Sequence, residues 1–372
     1  MTKIAADNLS YLDKFSLRKV QDTLTQDIST IPDSLQTWIT HYLCLAVSGV
    51  RSEAMTKKIA LHLSRFHAFF VEAYGHDRIS TVLKRDVVAW QNGLKEQGLA
   101  HSTINNCLAT LSGFTTWVHT LNAHVFPAGN PTKGVGELGL PPLEPRALSK
   151  DQVRSLKNVC DRLEHFHHLK GRRQKDKHRT NAHGRPWRDR AMVYVLLSTG
   201  LRREELVRLN LDQIEPCRSE ELRKARSARI INVQGKGKTE RTVFLSTDAR
   251  VALADYLERE RPLDVTQETT AVFLSAKSIA ARTADGRLSP SAINLILAQI
   301  GRWHDAEQAD PKRRLSPLRP HDLRHTFAFH LAKVTNADGY ELERRLGHRS
   351  QRYIARYTNP PETEAAQLIE GF

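Results

Sequence analysis

The chain has 372 residues, 40% of them hydrophobic and 26% charged, the composition of a globular protein with room for two ordinary domains. Its 56 Lys and Arg against 41 Asp and Glu leave a formal net charge of +15, so a polyanion, nucleic acid first, is the expected partner. No apolar run approaches the ~20 residues of a membrane span, the N-terminal residues lack the apolar stretch of a secretory signal, and Cys44, Cys107, Cys160 and Cys217 form no C-x-x-C pair that would suggest zinc or redox chemistry.

In chain order, residues 1–30 are polar and weakly patterned and read as a leader or short arm. Residues 31–125 carry four helical patterns. The first holds Leu35, Trp38, Ile39 and Tyr42 on one face; the second begins near Ser52 and holds Ile59, Leu63, Phe66 and Phe70. The third runs from about Arg85 through Val88 and Trp90 to Gly98, a plausible C-terminal stop. The fourth has Ser102 as expected N-cap and carries Ile104, Leu108, Leu111, Phe114 and Val118. Residues 126–148 are rich in Pro and Gly, lack periodicity and read as a linker, with Lys133 and Arg146 as possible phosphate contacts.

The second half opens with a helix from about Ser149 to Leu163, followed by a strongly basic, apolar-poor stretch from His165 to Arg190 that includes Arg172 and Arg173. Its three neighbouring histidines, His165, His167 and His168, sit among too many cations to favour a metal, and the stretch reads as a DNA-facing loop. A helix is expected from about Asp189 to Ser198, closed by Gly200. A β-hairpin follows, with arms near Ile230–Val233 and Thr242–Leu245. Helices are expected at about 248–260, 290–303, 321–333, 338–346 and 350–357, with Ser289 capping the second of these. The fold class expected is therefore mainly α with a small antiparallel β-sheet.

Four places carry chemistry. Arg202, in the run TGLRREEL, sits where one helix ends and another begins, a favourable place to hold a phosphate, and Glu205 one turn on can fix its guanidinium. An ordinary surface charge is the alternative. Lys236 and Lys238 lie in the glycine-rich hairpin turn, where a lysine can enter a DNA groove or donate a proton, or simply be solvated. His321 and Arg324 are three apart at a helix start and share a face suited to a phosphoryl group. A His321–His325 metal pair is the rival, but Asp322 stands where a zinc protease motif has glutamate. Finally, Gly347 precedes His348, and Tyr357 follows nine residues later, either as a surface residue or as a nucleophile.

Taken in order, Arg202 in TGLRREEL, Lys236 in GKGK, His321 and Arg324 in HDLRH, His348 in LGH, and Tyr357 resemble the tyrosine recombinase (phage integrase) family. The likeness extends to the N-terminal half through LAHSTINNCLATLSGFTTWV and NPTKGV. It implies a two-domain recombinase architecture: a helical, SAM-like core-binding domain at 31–125, a linker at 126–148, an α+β catalytic domain at 149–357 and a C-terminal tail at 358–372.

The resemblance further implies that Tyr357 attacks a DNA phosphate, Arg202 and Arg324 clamp its oxygens, His321 and His348 hydrogen-bond to it, Lys236 protonates the leaving oxygen and Glu205 supports. Lys133, Arg172, Arg173 and Lys238 are then additional DNA contacts. No cofactor or metal is called for. The implied partners are double-stranded recombination sites, three further copies of the chain in a tetramer, and accessory DNA-bending or directionality proteins, in a prokaryotic cytoplasm at the nucleoid, with no membrane partner. A type IB topoisomerase-like enzyme and a non-catalytic DNA-binding protein are the alternatives. The basic stretch at 165–190 is longer than the family pattern leads one to expect.

Overall fold

In a computed structural model of the chain, residues 31–140, 146–167, 184–235, 239–267, 269–280 and 282–347 are described. The chain divides into two compact units, Met1–Leu143 and Glu144–Phe372.

The first unit is built on helices α1 (Leu35–Tyr42), α2 (Glu53–Tyr74), α3 (Lys84–Glu96) and α4 (His101–Leu121). Ser34 and Ser52 start α1 and α2 by accepting the N–H groups of Thr37 and Met55, donors that a helix's own ladder leaves unpaired. Leu35, Trp38 and Ile39 meet Leu63, Phe66 and Phe70 of α2 and Ile104, Leu111, Phe114 and Val118 of α4 in one core. Phe66 stands edge-on to Trp90 at 5.1 Å.

Two expectations shift by one or two residues. The buried stripe of α3 is Val87, Trp90 and Leu94, and Val88 faces out at 36% exposure, because 100° per residue separates it from that stripe. Helix α4 starts earlier than Ser102: the Ala100 carbonyl already accepts from Ile104 N–H at 3.1 Å, so Ala100 is the N-cap and Ser102 lies in the first turn.

Beyond α4, Phe126 is buried in the same core. The Asn105 amide exchanges two hydrogen bonds with the Leu138 backbone, at 2.8 and 2.9 Å, and Gln91 donates to the Gly136 carbonyl. Residues 126–139 therefore lie fastened on the helical unit, with Lys133 exposed.

The second unit opens with α5 (Lys150–Cys160), started by a reciprocal Ser149–Gln152 capping box. Residues 163–167 are helical again, with Leu163 and Phe166 buried in the core, so the expected loop from His165 opens as helix; α6 (Pro186–Thr199) comes after it. Ala191, Met192, Val193, Val195 and Leu196 of α6 are fully buried, the mark of a helix enclosed on all sides. It begins three residues before the expected Asp189, with Pro186 in its first turn. The start is hard to read because Arg188 and Asp189 are buried ions: Arg188 pairs with Asp189, and its N–H donates to Glu260 at 2.9 Å.

Helix α7 (Arg203–Arg208), strand β1 (Ile214–Glu215) and helix α8 (Ser219–Lys224) follow. Strands β2 (Ala228–Gln234) and β3 (Glu240–Leu245) form the expected hairpin. Antiparallel β1 adds to the β2 edge, with Ile214 opposite Ile230, and Ile230 lies opposite Val243 of β3. Two residues are too short for β1 to show a period in sequence.

Helices α9 (Thr247–Arg259), α10 (Arg261–Asp264), α11 (Pro290–Ala306), α12 (Pro320–Val334) and α13 (Gly339–Leu346) complete the described part. Ser289 caps α11 by accepting from Ala292 N–H. Among the described residues the fold is mostly helical with one small three-stranded antiparallel sheet. Among the described residues no helix is long and apolar enough to cross a membrane. The helix expected at 350–357 lies outside the described residues.

Candidate active site

The site begins where α6 ends. Gly200 closes that helix with φ +62°, and a Cβ there would fall 2.3 Å from Phe327 Cδ1 of α12. Only glycine satisfies both the left-handed backbone and this close approach, which brings the α6–α7 junction against α12. Arg202 follows at once as the N-cap of α7. Its backbone N–H donates to Glu205 Oε2 at 2.7 Å, and its Nη1 donates to Oε1 at 2.8 Å.

Glu205 is enclosed and serves more than Arg202. Arg241 of β3 donates both Nη groups to the two carboxylate oxygens, at 3.0 and 2.6 Å. Arg324 of α12 stands 3.9 Å from Oε2. Burial alone would push the Glu205 carboxyl up; hydrogen bonds and charge from Arg241, then the Arg202 donors, outweigh it and bring its pKa to about 2.

The same three arginines also take successive carbonyls at the end of α13. Arg241 Nε donates to Arg345 O at 2.9 Å, Arg324 Nη2 to Leu346 O at 2.6 Å, and Arg202 Nη2 to Gly347 O at 3.4 Å. These carbonyls lack partners within the helix and form its negative end. Arg324 Nη1 also donates to Gly200 O at 2.6 Å, tying the α6 stop to the α13 stop.

Access separates the three guanidiniums. The Arg202 side chain keeps 27% of its surface open, against 6% for Arg241 and 3% for Arg324. His321, in the first turn of α12, is exposed. Its pKa is held below the ordinary histidine value by partial desolvation, then by the positive charges of Arg324 and Arg202. Its ring lies 6.2 Å from that of His325, centroid to centroid. Three guanidiniums around one carboxylate leave an excess of fixed positive charge beside the His321 imidazole. That arrangement can bind a phosphodiester and stabilise added negative charge on it.

The structure thus brings Arg202, Glu205, His321 and Arg324 together. Lys236, Lys238, His348 and Tyr357 lie outside the described residues, as do Arg172 and Arg173. Lys133 belongs to the other unit. Arg146 donates to the carbonyls of Leu315 and Pro317 at 2.6 and 3.0 Å. Among the described residues no group of three His, Cys, Asp or Glu could hold a metal ion.

Arg241 is the member that sequence reasoning passed over. A signal existed: Arg241, Val243 and Leu245 alternate along β3, and the last two point into the core, so Arg241 had to lie on the inward face.

Residues 148–364 match the family model described as the phage integrase family. The chain belongs to that family. It is a tyrosine recombinase, an enzyme that cleaves and rejoins DNA in site-specific recombination. Among curated relatives, the tyrosine recombinase XerC of Shewanella sp. (strain W3-18-1) is 28% identical over 308 residues, 80% of this chain and 85% of that one. XerC of Myxococcus xanthus is 34% identical over 188 residues, half of this chain and 54% of that one.

The fold of this recombinase is also found in solved structures. The Tn1549 transposon integrase in complex with a circular intermediate DNA gives a TM-score of 0.62 at 16% identity, covering 91% of this chain and 99% of that one. The XerH site-specific recombinase bound to a palindromic difH substrate gives 0.63 at 17% identity, covering 94% and 86%.

Proposed function

We propose that this recombinase exchanges DNA strands with Tyr357 as its nucleophile. Tyr357 attacks the scissile phosphate, forms a 3′-phosphotyrosyl bond and releases a 5′-hydroxyl. The covalent bond keeps the energy of the broken one, so rejoining needs no ATP. Arg202 and Arg324 hold the non-bridging oxygens as charge grows on them. His321 and His348 hydrogen-bond to the same phosphate, and His321 takes the tyrosine proton. Lys236 protonates the leaving oxygen, and Glu205 orients Arg202. The observation that carries this reading is the guanidinium cluster around Glu205, with Arg202 as its most open member.

In this reading residues 31–125 form the core-binding domain, 126–148 the linker and 149–357 the catalytic domain. Lys133, Arg172, Arg173 and Lys238 add phosphate contacts that position rather than specify. The substrate is double-stranded DNA, as the DNA-bound XerH and Tn1549 integrase structures support. Four copies act on two sites through a Holliday junction, with accessory DNA-bending or directionality proteins, in the cytoplasm of a prokaryote. The long basic stretch from His165 to Arg190 favours an integrase or transposase of a mobile element.

Covalent trapping tests the chemistry. The protein is incubated, with EDTA, with a duplex from the ends of its own element, nicked near the cleavage point. The expected result is a denaturation-resistant adduct from the wild type and none from Tyr357→Phe. Binding without an adduct would overturn the catalytic assignment, and relaxation of supercoils without site preference would favour a topoisomerase.

A further inference from the structure

We infer that Arg241 is a positioning residue for strand cleavage: it acts through Glu205 to aim the Arg202 guanidinium at the scissile phosphate. The inference rests on the assignment of Arg202 as a phosphate-binding cation.

The argument is one of geometry. Arg241 is not presented to DNA, because its side chain is 6% exposed and one donor from each of its nitrogens points inward. Both Nη groups go to Glu205, and Nε goes to the Arg345 carbonyl. The flat guanidinium also lies against Gly347, where a Cβ would come within 3.2 Å of Nη1. One N–H from each of its three nitrogens is thus held by a protein oxygen. Its planar fork fixes the carboxylate in two directions at once, which a lysine, with one point of charge, cannot do.

Glu205 in turn leaves Arg202 little freedom. Each of its oxygens is shared: Oε1 accepts from Arg202 Nη1 and Arg241 Nη1, while Oε2 accepts from the Arg202 backbone N–H and Arg241 Nη2. Rotating the carboxylate would therefore move the Arg202 guanidinium and weaken the cap of α7 together. Without Arg241, Glu205 would have only Arg202 as a close partner and could turn toward Arg324, 3.9 Å away. Arg202 would keep its charge and its exposure but lose its aim. Misplacing a catalytic group by about 1 Å can cost on the order of 100-fold in rate.

A second consequence concerns β3. Because Arg241 joins β3 to the last turn of α13, it registers the hairpin strand against the chain that leads to His348. Arg345 of α13 completes the join by donating Nη1 to the Thr242 carbonyl at 3.3 Å.

The test compares cleavage of two nicked duplexes by wild type, Arg241→Lys, Arg241→Gln and Arg202→Ala. One duplex has a natural scissile phosphodiester; the other has a methylphosphonate, in which methyl replaces a charged oxygen. The neutral centre develops one negative charge fewer, so it depends less on a well-aimed cation. Rates of adduct formation are taken per molecule of DNA-bound protein, so any unfolded fraction drops out.

On the natural duplex, the Arg241 variants should slow cleavage by about 30-fold or more with DNA affinity within about threefold of wild type. On the methylphosphonate their deficit should shrink to within about threefold, as should that of Arg202→Ala. If Arg202→Ala recovers on the neutral substrate but the Arg241 variants do not, Arg241 is a structural residue and the inference is wrong. Natural-duplex rates within about twofold of wild type would also overturn it. If Arg202→Ala itself shows no recovery, the phosphate-binding assignment of Arg202 fails, and the inference falls with it.

Discussion

Glu205 shows how one buried side chain can set the chemistry of several others. Its carboxylate costs desolvation energy, offset only because Arg202 and Arg241 supply charge-assisted hydrogen bonds. A buried pair of this kind adds little net stability over an apolar replacement, but breaking it from one side is costly. Glu205→Gln should lose about 3 kcal/mol in urea denaturation at pH 6, with a slower cleavage step. Its pKa is about 2 when folded against an ordinary value of 4.5, so this stabilisation is fully present above 4.5 and is lost as pH falls toward 2. The gap between wild type and variant should therefore narrow below about pH 4.5. A gap that stayed constant down to pH 3 would mean that the carboxylate charge is not what stabilises the cluster.

At this scale the sequence was informative where residues are close in the chain. Arg202 and Glu205 are one helical turn apart, as are His321 and Arg324, and helix geometry alone puts each pair on a common face. Arg241 was not legible in the same way. Its partners Glu205 and Arg345 are 36 and 104 residues away, and no local period records such a contact.

Among the elements, α6 departs most from expectation, beginning at Pro186 through residues that read as loop. Its first turn is held by Glu260, buried at the C-terminal end of α9 and accepting the Arg188 N–H. Burial pushes the Glu260 carboxyl up to about 7, despite its hydrogen bonds from the Arg188 and Trp187 N–H groups; nearby Asp189 adds to the rise. With a folded value of about 7 against an ordinary value of 4.5, stability falls as pH rises between them and stays lowered above 7. Glu260→Gln keeps an acceptor for the helix without the charge. It should be more stable than wild type at pH 8, by on the order of 2 kcal/mol, and the advantage should disappear near pH 4.5. Thermal melting across that range checks it, and a variant less stable at pH 8 would show that the charged form is the better cap.

At the scale of the whole molecule, every proposed catalytic residue falls within Glu144–Phe372, which has its own core from α5 through α12. The family match, 148–364, lies within the same unit. A fragment of residues 144–372 should therefore still form the covalent adduct on a nicked duplex, at higher protein concentration than the full chain. Its affinity should also fall less steeply with salt, because fewer phosphates are neutralised. The fragment 1–143 should bind DNA and form no adduct. If the larger fragment bound DNA but never became linked to it, the first unit would be required for the chemistry and not only for binding.

The sequence by itself determined the class of fold, the four helices of the first unit, the hairpin, and the ordered set of Arg202, His321, Arg324 and their companions. These are properties of local spacing: a period of 3.6 or 2, a serine before a helix, a glycine after one. Tertiary structure decided what spacing cannot carry. It placed the α6–α7 junction against α12 through Gly200 and Phe327, added β1 to the sheet, and brought Arg241 to Glu205. The physical reason is that buried charges must find partners wherever the fold puts them. An arginine on an inward strand face signals that it has a partner, but only the packing of distant helices says which one.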